Sequence, residues 1–364
     1  MSDDKILVDR IETSANGQVT ISGIKSSTKE KFMLVCSAYD YCGASLINEN
    51  NLNKSNKFID LFKLTDIPNT MIIKGWTNAS FINKKWLSEP ALEMTSEEKG
   101  DWGNSNPALD YYNPNLFNHE WLSKFASYNL GLINLRGHLV TPNAQTQIIN
   151  KLRNTNVIST HNFSKNPVLQ GKSNYLYIND ASSIKKFHRE WQFQREKINE
   201  MGPTLLYHYV KNGIDDLWAT FGACAIYAGI GDYTITKFYG SNLYEIKINS
   251  IICYVVDSYD FIVTEKEDDY LGHWSKTEFD FSTINKVGDK SNQIHSQKGL
   301  DLNTRIRPEQ SIHYEKLLYP AFNHHYQAYR KKTGKGRDMV IWSKPYKIDM
   351  GNTDENLYTF TAKF

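Results

Sequence analysis

A chain of 364 residues is long enough for one large domain or two medium ones with a sizeable core. Its 42 Lys and Arg nearly balance 40 Asp and Glu, so there is no whole-chain field that would require nucleic acid as a partner. No apolar run reaches the length of a membrane span. The first residues, MSDDKILVDR, lack a basic segment followed by an apolar one, so a soluble protein made in the cytosol without a signal peptide is expected.

Aromatic residues form 13% of the chain, which suits an aromatic-rich core or a surface that grips sugars, lipids or protein. Cys36, Cys42, Cys224 and Cys253 show no CxxC pair and no histidine at zinc-ligand spacing. Cys224 and Cys253 lie in apolar, strand-like runs and read as buried thiols, with a disulfide as the alternative.

Along the chain, VTISGI and FMLVCSAYD read as strands joined through KSSTKEK as a hairpin, and an Asn-rich polar loop follows. Beyond Thr77, Ala79, Phe81, Ile82, Trp86 and Leu87 follow helical spacing. Residues 95–120 combine Asn, Pro and Gly with dense Trp and Tyr, as in an ordered loop pinned by aromatics. A helix is expected from Thr141, with Pro142 in its first turn. A second is expected from Ser182 to Gly202, a solvated amphipathic helix carrying KKFHREWQFQREK.

After Gly202 a short helix leads into a β meander, ACAIYAGIGDYTITKF, LYEIKINSI and CYVVDSYDF, with Gly229, Gly231 and Gly240 at turns or bulges. A late helix through FNHHYQAYRKK ends at Gly334 and Gly336, and RDMVIWSKPYKID closes the fold as a strand. The expectation is an α+β chain. Residues 1–200 form a mixed region with short helices, and residues 201–364 form an antiparallel β-rich domain, a meander or partial barrel with flanking helices.

There is no dinucleotide fingerprint, P-loop, nucleophile elbow, HExxH or EF-hand pattern. His324 and His325 are neighbours on an expected helix and point in different directions, so no metal site is assigned to them. The chemistry gathers instead in VVDSYDF, where Asp257, Tyr259 and Asp260 crowd the end of a strand. In an extended strand Asp257 and Tyr259 share one face, and a turn at Ser258 or Tyr259 would bring Asp260 to the same mouth. Two carboxylates held together raise one pKa and supply an acid beside an ionised partner. The structural alternative is that the two aspartates cap the turn and Tyr259 plugs the end of the sheet.

The run from Asp215 through Trp274, with AYRKKTGKGRDMVIWS and FKLTDIPNTMIIKGWTNASFINKKWL, resembles a bacterial family of unknown function encoded beside type VI secretion spike genes. That resemblance implies an effector cargo or accessory protein, with the spike protein and an immunity protein as partners. DSYDF itself resembles the DxYD signature of colicin M-type toxins, which cleave lipid II in a competitor's periplasm. It implies catalytic roles for Asp257, Tyr259 and Asp260. Where those toxins place a His-Arg pair, this chain has Glu265 to Glu267, so His273 is taken as the acid and Arg330 or Arg337 as substrate cations.

The expected activity is therefore hydrolysis of a lipid-linked envelope precursor after delivery to the target periplasm, with Mg²⁺ as the implied ion. The alternative is a non-enzymatic adaptor or structural cargo that binds the spike.

Overall fold

The computed structural model describes residues 62–199, 213–264, 268–280, 319–351 and 358–364, and the backbone of four earlier strands. Those strands are β1 (Arg10–Thr13), β2 (Val19–Ser22), β3 (Phe32–Ala38) and β4 (Tyr41–Ile47). They pair β1 with β2 and β3 with β4. The expected hairpin between VTIS and FMLVCSA is thus replaced by two separate ones, each strand pairing with a nearer neighbour and closing a shorter loop.

Helices α1 (Ile67–Ile73) and α2 (Thr77–Ser88) come next. Strand β5 (Asp110–Tyr112) is followed by α3 (His119–Leu122), α4 (Ala126–Gly137), α5 (Pro142–Asn154) and α6 (Val157–Thr160). Thr141 caps α5 by accepting from the Ala144 N–H, and Ala144, Ile148 and Leu152 form its buried stripe.

Strand β6 (Val168–Lys172) precedes α7 (Ala181–Trp191), which Asp180 caps through the Ser183 N–H at 2.7 Å. The helix stops at Trp191, well before Gly202, because the chain turns extended and enters a sheet as β7 (Gln192–Ile198). Its apolar stripe of Ile184, Phe187 and Trp191 ends there, while Phe193 and Ile198 are buried from the strand. The backbone of β7 pairs with the next strand of that sheet, so a sheet edge takes precedence over local helix propensity.

Helix α8 (Asp216–Phe221) leads to β8 (Cys224–Ile230), β9 (Asp232–Lys237), β10 (Leu243–Ile248) and β11 (Ser250–Tyr259). Then come β12 (Tyr270–Trp274), β13 (Phe279–Asp280), β14 (Tyr319–Phe322) and α9 (Asn323–Thr333). Strands β15 (Met339–Trp342), β16 (Tyr346–Asp349) and β17 (Thr359–Lys363) complete the described chain.

The architecture is mixed α+β with several mainly antiparallel sheets and no closed barrel among the described residues. The sequence places a boundary at residue 200, whereas packing gathers residues 1–91 with 261–337 as one compact unit and 92–260 with 338–364 as another. The first holds α1, α2, α9, the early hairpins and a three-stranded sheet ordered β13-β12-β14. In it, Asp268 and the carbonyl of Asp269 receive the first N–H groups of α9, and Gly334 ends that helix at φ +68°.

The second unit holds a sheet ordered β5-β15-β11-β8-β7, with β16 also on β11, and a four-stranded sheet ordered β17-β10-β9-β6. The expected meander is divided between them, with β8 and β11 in one sheet and β9 and β10 in the other. Every residue of β8 is buried, as are the first seven of β11, which explains why both read as continuous apolar runs. Gly231 and Gly240 fall between strands as expected. Gly229 lies within β8 at a bulge-like register shift, opposite Gln192 where β7 skips to Gln194, and a Cβ there would stand 2.4 Å from Phe187 of α7.

Candidate functional site

β11 stays extended through Tyr259, so Asp257 and Tyr259 project to one face of the six-stranded sheet. That is the face packed by α4, since a Cβ at Gly131 would meet Ile198 and Ile226, and Ile226 pairs with Val255. The turn at Ser258 or Tyr259 that would bring Asp260 to the same mouth is not formed, and Asp260 follows the last strand residue. Its Oδ1 lies 3.2 Å from Lys99 Nζ, with 4% of the Asp260 side chain exposed and 50% of the Lys99 side chain.

Asp257 is half-buried, and Tyr259 is 9% exposed. Burial pushes the Asp257 carboxyl well above the usual carboxylate range, and the Asp260 charge pushes it the same way. The Ser258 N–H and the Lys99 charge pull against that shift without cancelling it. Burial thus favours the neutral form of Asp257, while Asp260, past the end of the strand, is ion-paired with Lys99. On β8, burial is the main cause that raises the Cys224 thiol, and the nearby Asp257 and Asp215 carboxyl groups act in the same direction. Cys224 and Cys253 are both buried free thiols, while the side chains of Cys36 and Cys42 lie outside the described residues.

The opposite face of the same sheet carries a polar network under α7. Lys185 Nζ donates to Asp110 Oδ2 at 2.9 Å and to the carbonyl and hydroxyl of Ser105 at 2.5 and 3.0 Å. The Trp342 indole N–H donates to the other Asp110 oxygen at 3.1 Å. Burial raises the Asp110 carboxyl, opposed by these hydrogen bonds. One turn along, His188 Nδ1 shares a 2.8 Å hydrogen bond with the Tyr254 hydroxyl, and Trp102 donates to the Tyr227 hydroxyl at 3.0 Å. Burial lowers His188 to about 4, which keeps the ring neutral at pH 7. The helix read from sequence as solvated therefore buries a lysine and holds a half-buried histidine against aromatic rings.

His273, Arg330 and Arg337 belong to the first unit, while Asp257, Tyr259 and Asp260 belong to the second. His273 on β12 is 9% exposed, hydrogen-bonds the Tyr270 hydroxyl through Nδ1, and is lowered by burial to about 4. Arg330 is buried, donates from Nε to the Gly336 carbonyl at 2.9 Å and lies over the Trp86 ring. Arg337 Nε is 3.4 Å from Glu89 Oε2. His324 pairs through Nδ1 with Asp268 at 2.5 Å, whereas His325 accepts the Phe322 N–H at 3.1 Å, so the two neighbours serve different partners.

Sequence reasoning missed Lys99, Lys185, His188 and Asp110. Helical spacing carried a signal for Lys185 and His188, which flank Ile184 and Phe187 on the buried side. No spacing rule points to Lys99, which meets Asp260 across 161 residues of chain. Among the described residues no three His, Cys, Asp or Glu side chains converge to hold a metal. No step below is routed through a Mg²⁺ ion.

These features define a two-unit α+β protein with Asp257 near the end of the central strand of its second unit and a Lys99–Asp260 ion pair just beyond that strand's end. The chain belongs to DUF6402, a family of unknown function whose model matches residues 62–354. No curated protein and no solved structure matches it. The family description names neither type VI secretion nor colicin M.

Proposed function

We propose that this chain is an antibacterial effector of type VI secretion that hydrolyses a phosphate-linked envelope precursor, such as lipid II, at the end of β11. The observation that carries this reading is that two aspartates at the end of β11 stand in different settings, Asp257 raised by burial and Asp260 paired with Lys99. The likeness of DSYDF to the colicin M-type signature supports the substrate class, and the likeness to the spike-associated family supports the delivery route. In the reaction, the oxygen of a water molecule forms a bond to phosphorus, and the bond from phosphorus to the leaving oxygen breaks. Asp257 gives its proton to that oxygen and Asp260 takes one from the water. Exchange with solvent then restores both groups.

Expression of the chain in a bacterial periplasm tests this. The wild type is expected to kill, and Asp257→Asn and Asp260→Ala to lose about 100-fold in toxicity, the scale of general acid–base catalysis. A harmless wild type, or variants as toxic as it is, overturns the reading.

A second reading, a non-enzymatic cargo or adaptor that binds the spike, is favoured by the low exposure of Tyr259 and Asp260, which suits packing better than contact with substrate. Spike capture and competitor killing that both survive alanine at Asp257 and Asp260 would select it.

A further inference from the structure

The face of the six-stranded sheet under α7 holds polar groups that the hydrolase reading does not use. Among them His188 is half-buried, with one ring nitrogen turned to the core and the other to solvent. We propose that the opening beside His188 binds a tetrahedral oxyanion, the phosphate group of a phosphate monoester, through His188 Nε2–H, Lys151 and Arg189. The site lies in the second unit, on the sheet face opposite that of Asp257, and it is independent of the hydrolase reading.

Three observations support it. First, the ring is fixed and its proton is placed. Tyr227, Tyr254 and Trp342 pack around it with centroids 5.1, 5.9 and 5.6 Å away, each at a steep angle. Tyr254 is 1% exposed, and burial raises its hydroxyl well above the ordinary phenol range, so it keeps its proton. The partner of that hydroxyl among the described residues is His188 Nδ1, at 2.8 Å. A buried O–H needs an acceptor, so Tyr254 donates to Nδ1 and the neutral ring carries its own proton on Nε2. Nε2 makes no hydrogen bond within the described residues and is not one of their enclosed polar atoms, so its N–H meets solvent.

Second, two cations flank it. Lys151 Nζ donates at 2.5 Å to the carbonyl of Arg189, the residue after His188, and its charge is the strongest acting on the His188 ring. Arg189 directs one N–H at the Gly103 carbonyl, at 3.5 Å. An ammonium has three donors and a guanidinium five, so both retain N–H groups for a ligand. Asp101 is the opposing charge on the ring, and its two oxygens each accept from Asn104 Nδ2 at 3.1 Å. Two cations against one carboxylate leave the opening positive.

Third, the approach is clear. A Cβ at Gly103 would lie 2.8 Å from Arg189 Cγ and 3.8 Å from His188 Cδ2, the ring carbon bonded to Nε2. Glycine lets this loop close on the Arg189 stem while placing no side chain against the Nε2 edge. Three donors from separate side chains match the several oxygens of a tetrahedral anion better than the two of a carboxylate.

Calorimetric titration of the full chain with inorganic phosphate, glycerol phosphate and acetate tests the proposal. Both phosphates are expected to bind, and acetate to bind at least about tenfold more weakly. Arg189→Gln, a change at an exposed side chain, should cost about tenfold, the loss of one charge-assisted contact. His188→Phe should cost about fivefold, the loss of one neutral hydrogen bond, while His188→Gln keeps an amide N–H and should stay within about twofold. Because His188→Phe also orphans the Tyr254 hydroxyl, nitrogen NMR of the wild type with isotope-labelled histidines gives a second measurement. It should show the Nε2–H tautomer of His188 and a shift of that resonance on adding phosphate. Phosphate binding that is absent in wild type or unchanged in Arg189→Gln and His188→Phe, acetate bound as tightly as phosphate, or an Nε2 resonance that phosphate does not move overturns the site. Binding of inorganic phosphate without glycerol phosphate overturns the monoester as ligand.

Discussion

The ammonium of Lys185 stands 2.9 Å from the carboxylate of Asp110, with the two side chains 7% and 5% exposed, and this pair ties α7 to β5. Two charges so enclosed depend on each other, because either one alone is left unpaired in a medium that solvates it poorly. Lys185→Met is therefore expected to lower unfolding free energy by about 3–5 kcal/mol. Lys185→Met/Asp110→Leu should recover only part of this, since it also orphans the Trp342 indole N–H. Urea unfolding followed by near-UV circular dichroism checks both.

The same helix approaches the sheet at Gly229, where a Cβ would stand 2.4 Å from Phe187 Cε1. Phe187 is fully buried. Gly229→Ala should cost about 1–3 kcal/mol by overpacking, and Phe187→Leu on that background should return part of it. Non-additivity in a double-mutant cycle of thermal midpoints is the expected signature.

Much of this architecture is legible in the sequence where local pattern and tertiary packing agree. Thr141 and Pro142 announce α5, the helical stripe through Trp86 announces α2, and the apolar runs of β8 and β11 announce buried strands. The pattern misleads where a neighbour distant in sequence decides. QFQREKI carries charges that suit a helix, yet it forms a sheet edge because β8 supplies a ladder. The site divides in the same way. DSYDF marks the end of β11, and alternation alone puts Asp257 and Tyr259 on one face. Lys99 comes to Asp260 through a loop whose course depends on Trp102 reaching Tyr227, a contact between residues 125 apart.

Acid should weaken the fold through its enclosed histidines. Burial lowers His188 and His273 to about 4 and His325 to about 3, against an ordinary value of 6.5. On acidification the unfolded chain takes up these protons first. Stability is therefore full above pH 6.5 and falls as pH drops toward 4, and toward 3 for His325. At pH 5 the loss is about 2 kcal/mol per histidine. Urea midpoints at pH 7.5 and pH 5 measure it, and His273→Gln should flatten the slope. An unchanged midpoint would mean that the rings take up protons without opening the structure.

Asp257 carries the opposite sign. Its folded carboxyl is raised well above the unfolded value, so its contribution is most favourable at low pH and is lost as pH rises toward the folded value. Asparagine keeps the shape, removes the titration and leaves no charge to desolvate. Asp257→Asn should therefore match wild type in stability near pH 4 and exceed it at pH 7, with a higher urea midpoint there. If the hydrolase reading holds, the same variant loses toxicity as it gains stability, because the strain of enclosing a carboxyl at β11 is what keeps a proton ready for transfer. A variant that is destabilised at pH 7 would show that Asp257 is ionised and holds the strand end through its charge.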